Sequence, residues 1–210
     1  FHTDNAADVL AQQAAHPLVR GIRSKPVTAP SPDRMQSGLP GSMQDPRWLK
    51  GYARLAQYGL SWDLRVPYWH LVEAAQVIHA HPDIPVVLNH TGFPWDRSPA
   101  GLAAWEAAMR VIAQEPHVWL KVSEFGLRDE PWRYEDNRRI VRTALDIFGI
   151  ERCMFASNFP VSSLRVDYNT LVCSVAEMIS DFTPAQQRGF FVENAARFYR
   201  LDPTLWRDVA

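Results

Sequence analysis

Short apolar runs alternate with longer stretches of helical periodicity along this chain, and no other feature constrains its fold as much. Strands are predicted at 18–25, 60–66, 84–89, 118–123 and 152–156, and each is followed, directly or after a loop, by a predicted helix. Asp45-Pro46 and Ser98-Pro99 each place an N-cap residue before a proline at the first helical position. Strands that alternate with helices of this length form βαβ units and a parallel sheet.

Polar residues at the ends of several predicted strands narrow the choice among parallel architectures. The chain has no GxGxxG and no GxxxxGK[ST] turn, which argues against dinucleotide-binding and P-loop folds. Barrels of alternating strands and helices keep their chemistry at the C-terminal strand ends. We therefore predict an α/β fold of the (β/α)8 TIM-barrel type, formed by residues 1–210 as one domain.

Composition excludes several classes of function. Of the 210 residues, 47% are hydrophobic and 21% are charged, which is typical of a globular domain, and the net charge of −1 gives no support to a nucleic-acid or membrane partner. Cys153 and Cys173 lack CxxC spacing and are expected to be buried free thiols. With no signal peptide and no membrane-spanning run, a cytoplasmic location is expected.

Strand parity predicts which side chains point into the barrel together, because strand residues alternate between two faces. His90, for example, shares its parity with Val86 and Leu88. Five strands are thereby expected to present seven residues to one mouth: Arg23, Lys25, Asp63, Arg65, His90, Lys121 and Asn158. Four of these are Arg or Lys, which predicts a small anionic substrate such as a carboxylate.

Tryptophans are the other conspicuous side chains of the predicted barrel. Trp95 follows His90 in a loop and is expected to line the substrate pocket. Trp62 and Trp119 are expected to point outward and to pack beneath helices.

Five motifs, in this order, carry a family resemblance: Gly21-Ile22-Arg23, Leu88-Asn89-His90-Thr91-Gly92, Leu120-Lys121-Val122-Ser123, Met154-Phe155-Ala156-Ser157-Asn158-Phe159-Pro160, and residues 194–201. Together they resemble the amidohydrolase-related proteins (amidohydrolase family 2) of the lactonase and pyrone-dicarboxylate hydrolase type. The resemblance implies a TIM-barrel hydrolase, metal-dependent or metal-independent, with decarboxylases among its relatives.

Two departures from that family pattern bear on activity. The chain lacks the His-x-His pair of the family's first strand, so we expect a barrel of about five strands (the family's strands 4 to 8) without its N-terminal strands. The last strand of the family usually offers an Asp, and Asn158 stands here instead; an amide accepts no proton and is a poor zinc ligand. We therefore expect no tightly bound metal, although a full-length relative can hold zinc or manganese.

The resemblance implies roles for the mouth residues. His90 would polarise the scissile carbonyl or ligate metal, Asn158 would orient water or substrate, and the Arg and Lys residues would hold carboxylates. His70, His79, His81 and His117 are expected to be structural or exposed, on the side away from the mouth.

Three functions remain open. The first is hydrolysis of a small anionic lactone or related carbonyl compound, the second is a decarboxylase or other lyase reaction, and the third is an inactive truncated barrel. An incomplete barrel exposes sheet edges, so a homo-oligomer is also expected.

Overall fold

Five short parallel strands form one sheet in the computed structural model of this chain, which describes residues 1–127 and 129–205. The strands pair in sequence order: β1 (Gly21–Ile22), β2 (Ser61–Leu64), β3 (Val86–Leu88), β4 (Val118–Val122) and β5 (Cys153–Phe155). The predicted parallel sheet is confirmed, although every strand is shorter than its apolar run. β1 and β2 approach closely because residue 21 is glycine: a Cβ there would lie 2.2 Å from Ser61 Oγ.

In the described residues at least one helix follows each strand and one further helix precedes β1, and most of the helices cover one face of the sheet. They are α1 (Ala6–Ala14), α2 (Pro46–Gln57), α3 (Leu71–His79), α4 (Pro99–Ala113), α5 (Tyr134–Phe148), α6 (Tyr168–Met178), α7 (Pro184–Arg188) and α8 (Asn194–Phe198). The predicted caps are confirmed, since Asp45 accepts a hydrogen bond from the Arg47 N–H and Ser98 accepts one from the Gly101 N–H. The last predicted helix contains a π-helical turn, Gly189–Glu193, between α7 and α8. Among the described residues, no helix is long and apolar enough to cross a bilayer.

The two faces of the sheet bury different residues. Trp62, Val86 and Leu88 point outward into the main core with the helices, whereas Val87 and Met154 belong to a smaller inner cluster with Phe198. Trp62 thus packs beneath helices as predicted. The same prediction was wrong for Trp119, which packs against the inner cluster. Trp119 lies on the same face of its strand as Lys121, and its register partner Val87 belongs to that cluster.

Residues 194–200, which we call the floor segment, cross the N-terminal ends of the strands. Asn194 Nδ2 donates to the carbonyl oxygens of Ile150 (2.9 Å) and Cys153 (2.7 Å), next to β5. Arg200 Nη2 donates to the carbonyl oxygens of Gly59 (2.9 Å) and Arg20 (3.2 Å), next to β2 and β1. The floor segment therefore closes the end of the sheet opposite the mouth.

Both cysteines are free, but only one is buried. Cys153 lies in β5 and is fully enclosed, and its burial raises the pKa of its thiol above the usual range. Cys173 lies on the exposed side of α6, so the expectation of two buried thiols was wrong for this residue.

Candidate active site

The mouth, defined here as the edge formed by the C-terminal ends of the strands, is where the backbone departs most from ordinary geometry. His90 follows β3 with φ 61°, Glu124 follows β4 with φ 51°, and Asn158 follows β5 with φ 52°. Left-handed backbone at a residue other than glycine is uncommon, costs on the order of 1 kcal/mol, and clusters at functional sites. Three consecutive strand ends therefore each hold one polar residue in a conformation that the surroundings must maintain.

His90 is buried at the centre of this edge. Its Nδ1 lies 3.0 Å from Ser123 Oγ, at the end of the neighbouring strand. Burial is the main cause that lowers the pKa of His90 to about 4. The remaining contributions come from four surrounding cations: Arg65, Arg23, Lys121 and Lys25. The imidazole is therefore neutral near pH 7, and the hydrogen bond to Ser123 fixes which ring nitrogen is left for a ligand.

Glu124 and Arg165 form the most enclosed ion pair of the mouth. Glu124 Oε1 accepts a hydrogen bond from Arg165 Nη1 at 2.9 Å, and both side chains are only 8% exposed. The other carboxylate oxygen, Oε2, accepts a hydrogen bond from Asn158 Nδ2. Residues from the ends of β4 and β5 are thereby joined into one polar group.

A second ion cluster lies on the inner face, below the mouth. Asp63 Oδ2 accepts hydrogen bonds from Lys121 Nζ (2.7 Å) and Arg23 Nη2 (3.3 Å). Asp63 Oδ1 accepts one from the Tyr199 hydroxyl at 2.8 Å. Burial lowers the pKa of Lys121, although Asp63 opposes that shift, and burial together with Asp63 raises the pKa of Tyr199 above its usual range. Asp63 thus accepts hydrogen bonds from three protein donors, two on Oδ2 and one on Oδ1.

A cleft of about 470 Å³ opens at the mouth. It is lined by Arg23, Arg65, His90, Phe93, Glu124, Asp129, Asn158, Val161, Leu164 and Arg165. The Arg65 guanidinium lies 4.9 Å from the centre of the Phe93 ring, and the Trp95 ring lies 4.7 Å from the same ring on the loop that follows. A small molecule in this cleft would contact His90, Glu124 and Asn158 together.

The loop that carries Lys25 is fixed beside the mouth by His70 and Trp69. The Ala29 N–H donates to His70 Nε2 at 2.8 Å, and Trp69 Nε1 donates to the Ala29 carbonyl at 3.1 Å. Because Nε2 accepts, the proton of the neutral ring is on Nδ1, which donates to Glu73 Oε2 at 2.7 Å. His70 is therefore structural, as predicted, but it follows β2 and lies on the mouth side rather than away from it.

Comparison with known proteins identifies the family of this barrel. The amidohydrolase family model matches residues 2–201. This chain belongs to the amidohydrolase family. It is 33% identical over 172 residues to an L-fucono-1,5-lactonase from Burkholderia multivorans, a match covering 76% of this chain and 57% of the relative. It is also 33% identical over 201 residues to protein y4mH of Sinorhizobium fredii, covering 96% of this chain and 67% of the relative.

A solved amidohydrolase structure has the same fold. The crystal structure of an amidohydrolase from Burkholderia multivorans with bound zinc superposes with a TM-score of 0.79 at 26% identity, covering 96% of this chain and 71% of that chain. The chain thus spans between 57% and 71% of the length of these relatives. The predicted family and the predicted TIM-barrel type of fold are confirmed.

The side chains of this amidohydrolase do not by themselves fit a metal site. Within residues 1–127 and 129–205, no three His, Cys, Asp or Glu side chains converge closely enough to hold a metal ion. Asn158 uses its amide nitrogen as a donor to Glu124, and an amide oxygen is a poor zinc ligand. We therefore derive no catalytic step through a metal, and the expectation of no tightly bound metal stays a prediction.

The structure places the predicted residues of the amidohydrolase at three depths. His90, Asn158, Arg23 and Arg65 line the cleft. Lys25 is exposed on the loop after β1, near enough for its charge to affect the pKa of His90. Asp63 and Lys121 pair with each other below the cleft, so they support the mouth rather than line it. Trp95 packs behind Phe93. The roles of all these residues stay predictions.

Strand alternation does not explain why the His90 side chain lies at the mouth. Val86 and Leu88, which share its parity, point outward into the helical core. The strand ends at Leu88, and the turn that follows, with φ 61° at His90, brings the imidazole back over the strand ends. The parity assignment of His90 was therefore wrong, although its place at the mouth was right.

Sequence reasoning missed Glu124, Arg165 and Tyr199 as members of the site. Glu124 directly follows a predicted strand, and that position is the one signal that could have selected it. Arg165 lies in the loop before α6, and Tyr199 lies 136 residues from the Asp63 that it contacts. Neither contact leaves a local pattern in the sequence.

Proposed function

We propose that the mouth hydrolyses a small lactone that carries a carboxylate. The observation that carries this proposal is the neutral His90, which is held by Ser123 in a cleft that also contains Arg23 and Arg65. The relative named L-fucono-1,5-lactonase supports lactone hydrolysis as the class of reaction. The positive charge around His90 supports an added carboxylate on the substrate.

In this proposal His90 polarises the carbonyl of the lactone. We assign the Ser123 hydroxyl as the donor to Nδ1, and in that tautomer the neutral imidazole carries its proton on Nε2 and donates it to the carbonyl oxygen. As water attacks, negative charge develops on that oxygen, and the hydrogen bond from Nε2 strengthens. One preorganised donor of this kind contributes about 3 kcal/mol to transition-state stabilisation. Arg23 and Arg65 hold the carboxylate, and Lys25 adds its charge from the rim.

The test is a hydrolysis assay on paired substrates, run with and without added zinc or manganese. The pairs are neutral aldono-1,5-lactones and lactones of similar size that carry a carboxylate. We expect turnover with a higher kcat/KM for the carboxylated member of each pair. His90→Ala should lower kcat by about 100-fold. His79→Ala is the matched control, because the His79 side chain is 80% exposed on α3 and contacts only Glu115 among the contacts described.

Three results would contradict the proposal. One is the absence of turnover from a chain that unfolds cooperatively, which would favour the alternative of an inactive barrel. Another is full activity of His90→Ala. The third is release of CO2 instead of ring opening, which would support the decarboxylase alternative.

A further inference from the structure

Hydrolysis by attack of water requires a side chain that accepts a proton from that water. The inference drawn here names that side chain, and it rests on the proposed function. Asn158, at the tip of β5, cannot accept a proton because it is an amide. Asp63 does not line this cleft, and its carboxylate is directed to Lys121, Arg23 and Tyr199 instead.

His90 is poorly suited to the task as well. It is surrounded by four cationic side chains, which oppose a further positive charge on its ring. His90 is therefore better used as a donor to the carbonyl.

Glu124 and Asp129 are the two carboxylates that line the cleft. Asp129 is exposed to solvent, whereas Glu124 is enclosed, and the setting of Glu124 fits the task. Its carboxylate is enclosed, lines the same cleft as His90, and is linked to it through the adjacent Ser123. Each oxygen holds one protein donor, Arg165 on Oε1 and Asn158 on Oε2. A carboxylate oxygen has two lone pairs, so each can accept one more hydrogen, here from a water in the cleft.

Asn158 is in turn oriented by Glu124. Its Nδ2 donates to Glu124, which turns its carbonyl oxygen, Oδ1, away from the carboxylate as the remaining acceptor. A water between the two residues would then meet one acceptor from each. That arrangement orients a lone pair of the water toward a carbonyl held at His90.

The geometry points to Glu124 as the general base of the hydrolysis, with Asn158 as the residue that positions the water. Glu124 takes one proton from water while the water oxygen bonds to the carbonyl carbon, and the π electron pair of the carbonyl moves onto its oxygen. When that pair returns, the bond between the carbon and the ring oxygen breaks. Protonated Glu124 gives its proton to the ring oxygen, which leaves as the hydroxyl of a hydroxy acid.

The experiment compares isosteric and truncated variants of Glu124 on the best lactone of the panel. Glu124→Gln should lower kcat by at least about 100-fold with little change in KM, because the carboxylate acts in the transition state. Glu124→Ala should be equally slow, and added formate should restore its rate at least about tenfold by entering the space left beside Arg165. Formate should not accelerate His90→Ala. Asp181→Asn is the matched control, since it removes a carboxylate from an arginine pair far from the mouth, that of Arg142.

Folding is controlled by a second variant. Glu124→Gln leaves the enclosed Arg165 without its anion, which destabilises the fold. Glu124→Gln/Arg165→Gln removes both partners and should melt at a higher temperature than Glu124→Gln while remaining inactive.

The outcomes separate this inference from the proposed function. A wild-type chain that hydrolyses lactones, together with Glu124→Gln within about threefold of its kcat, overturns the role of Glu124 alone. A folded Glu124→Ala that is inactive and unresponsive to formate also overturns this role, because Glu124 would then be structural. Recovery of activity in Glu124→Gln/Arg165→Gln overturns it as well. A wild-type chain without turnover overturns the proposed function, and the role of Glu124 falls with it.

Discussion

The two ends of the sheet are built in opposite ways. At the mouth, three strand ends carry His90, Glu124 and Asn158 in left-handed backbone around an open cleft. At the other end, the floor segment satisfies the strand-end carbonyls with Asn194 and Arg200 and packs Phe198 against the inner face. The mouth concentrates left-handed backbone and enclosed charges, whereas the floor has one left-handed residue, Arg200, and is otherwise built from apolar side chains and hydrogen bonds to backbone carbonyls.

This difference concerns where the amidohydrolase holds its unfavourable backbone conformations. Positive φ at a residue other than glycine occurs six times in the described residues. The sixth position is Arg200, the last residue of the floor segment, and the other five lie at the mouth: His90, Thr91, Phe93, Glu124 and Asn158. Such geometry persists only when its surroundings are well packed. We infer that packing at the floor and in the helical core offsets the unfavourable backbone conformations at the mouth. Each prediction below concerns one of these two regions.

The largest effect is expected at the floor. Phe198→Ala should lower the free energy of unfolding by about 4 kcal/mol, because the ring is 5% exposed and packs on Trp119, Val87 and Met154. Leu164→Ala at the rim of the cleft is the control, with a change below about 0.5 kcal/mol, since that side chain is 82% exposed. Urea unfolding followed by circular dichroism measures both. Equal losses of unfolding free energy in the two variants would contradict the inferred difference between the floor and the mouth.

The next effect depends on pH and belongs to the mouth. The pKa of His90 is about 4 in the folded chain and about 6.5 when unfolded, so the unfolded chain binds a proton first as the pH falls. Above pH 6.5 His90 contributes no pH dependence. Between about pH 6.5 and 4 the wild type should lose about 3 kcal/mol that His90→Gln does not lose.

Urea unfolding of both chains between pH 4 and 8 measures this difference. Parallel stability curves for wild type and His90→Gln would mean that His90 is not desolvated in the folded chain. His79→Gln, changed at an exposed position, should follow the wild-type curve throughout.

The smallest effect tests the pairing at the tip of β5. Asn158→Asp places a second carboxylate against Glu124, which raises the pKa of the pair in the folded chain. Stability relative to wild type should therefore be nearly unchanged at pH 4 and lower by about 1–2 kcal/mol at pH 7. Thermal unfolding at both pH values checks the sign.

Adding Glu124→Gln to Asn158→Asp should abolish that pH dependence, because only one carboxylate remains. A double variant as pH-sensitive as Asn158→Asp would show that Glu124 and residue 158 do not interact.

Periodicity and caps were enough to predict the parallel sheet, the order of its helices and the place of the mouth. The outward prediction for Trp119 failed because it overlooked that Trp119 and Lys121 lie on the same face of their strand, where Trp119 meets Phe198 of the floor segment. The other predictions failed where turns or tertiary contacts decide the outcome. His90 was given the wrong face because a turn, rather than the strand, sets its direction.

The electrostatic partners were the least predictable part of the site. Parity placed Asp63 and Lys121 on the inner face correctly, but it could not show that they neutralise each other at 2.7 Å. Glu124 was not predicted as a member of the site, because its contacts, Asn158 and Arg165, lie 34 and 41 residues later in the chain. The predicted homo-oligomer stays a prediction.

The floor segment also sets an order of events during synthesis. Arg200 contacts the carbonyl of Arg20 across 180 residues, and Tyr199 meets Asp63 across 136. A ribosome that has delivered all five strands has therefore not yet delivered the residues that cover Val87, Trp119 and Met154. During that interval the apolar side chains of Val87, Trp119 and Met154 are exposed to the surrounding medium, and they form a surface to which a chaperone can bind.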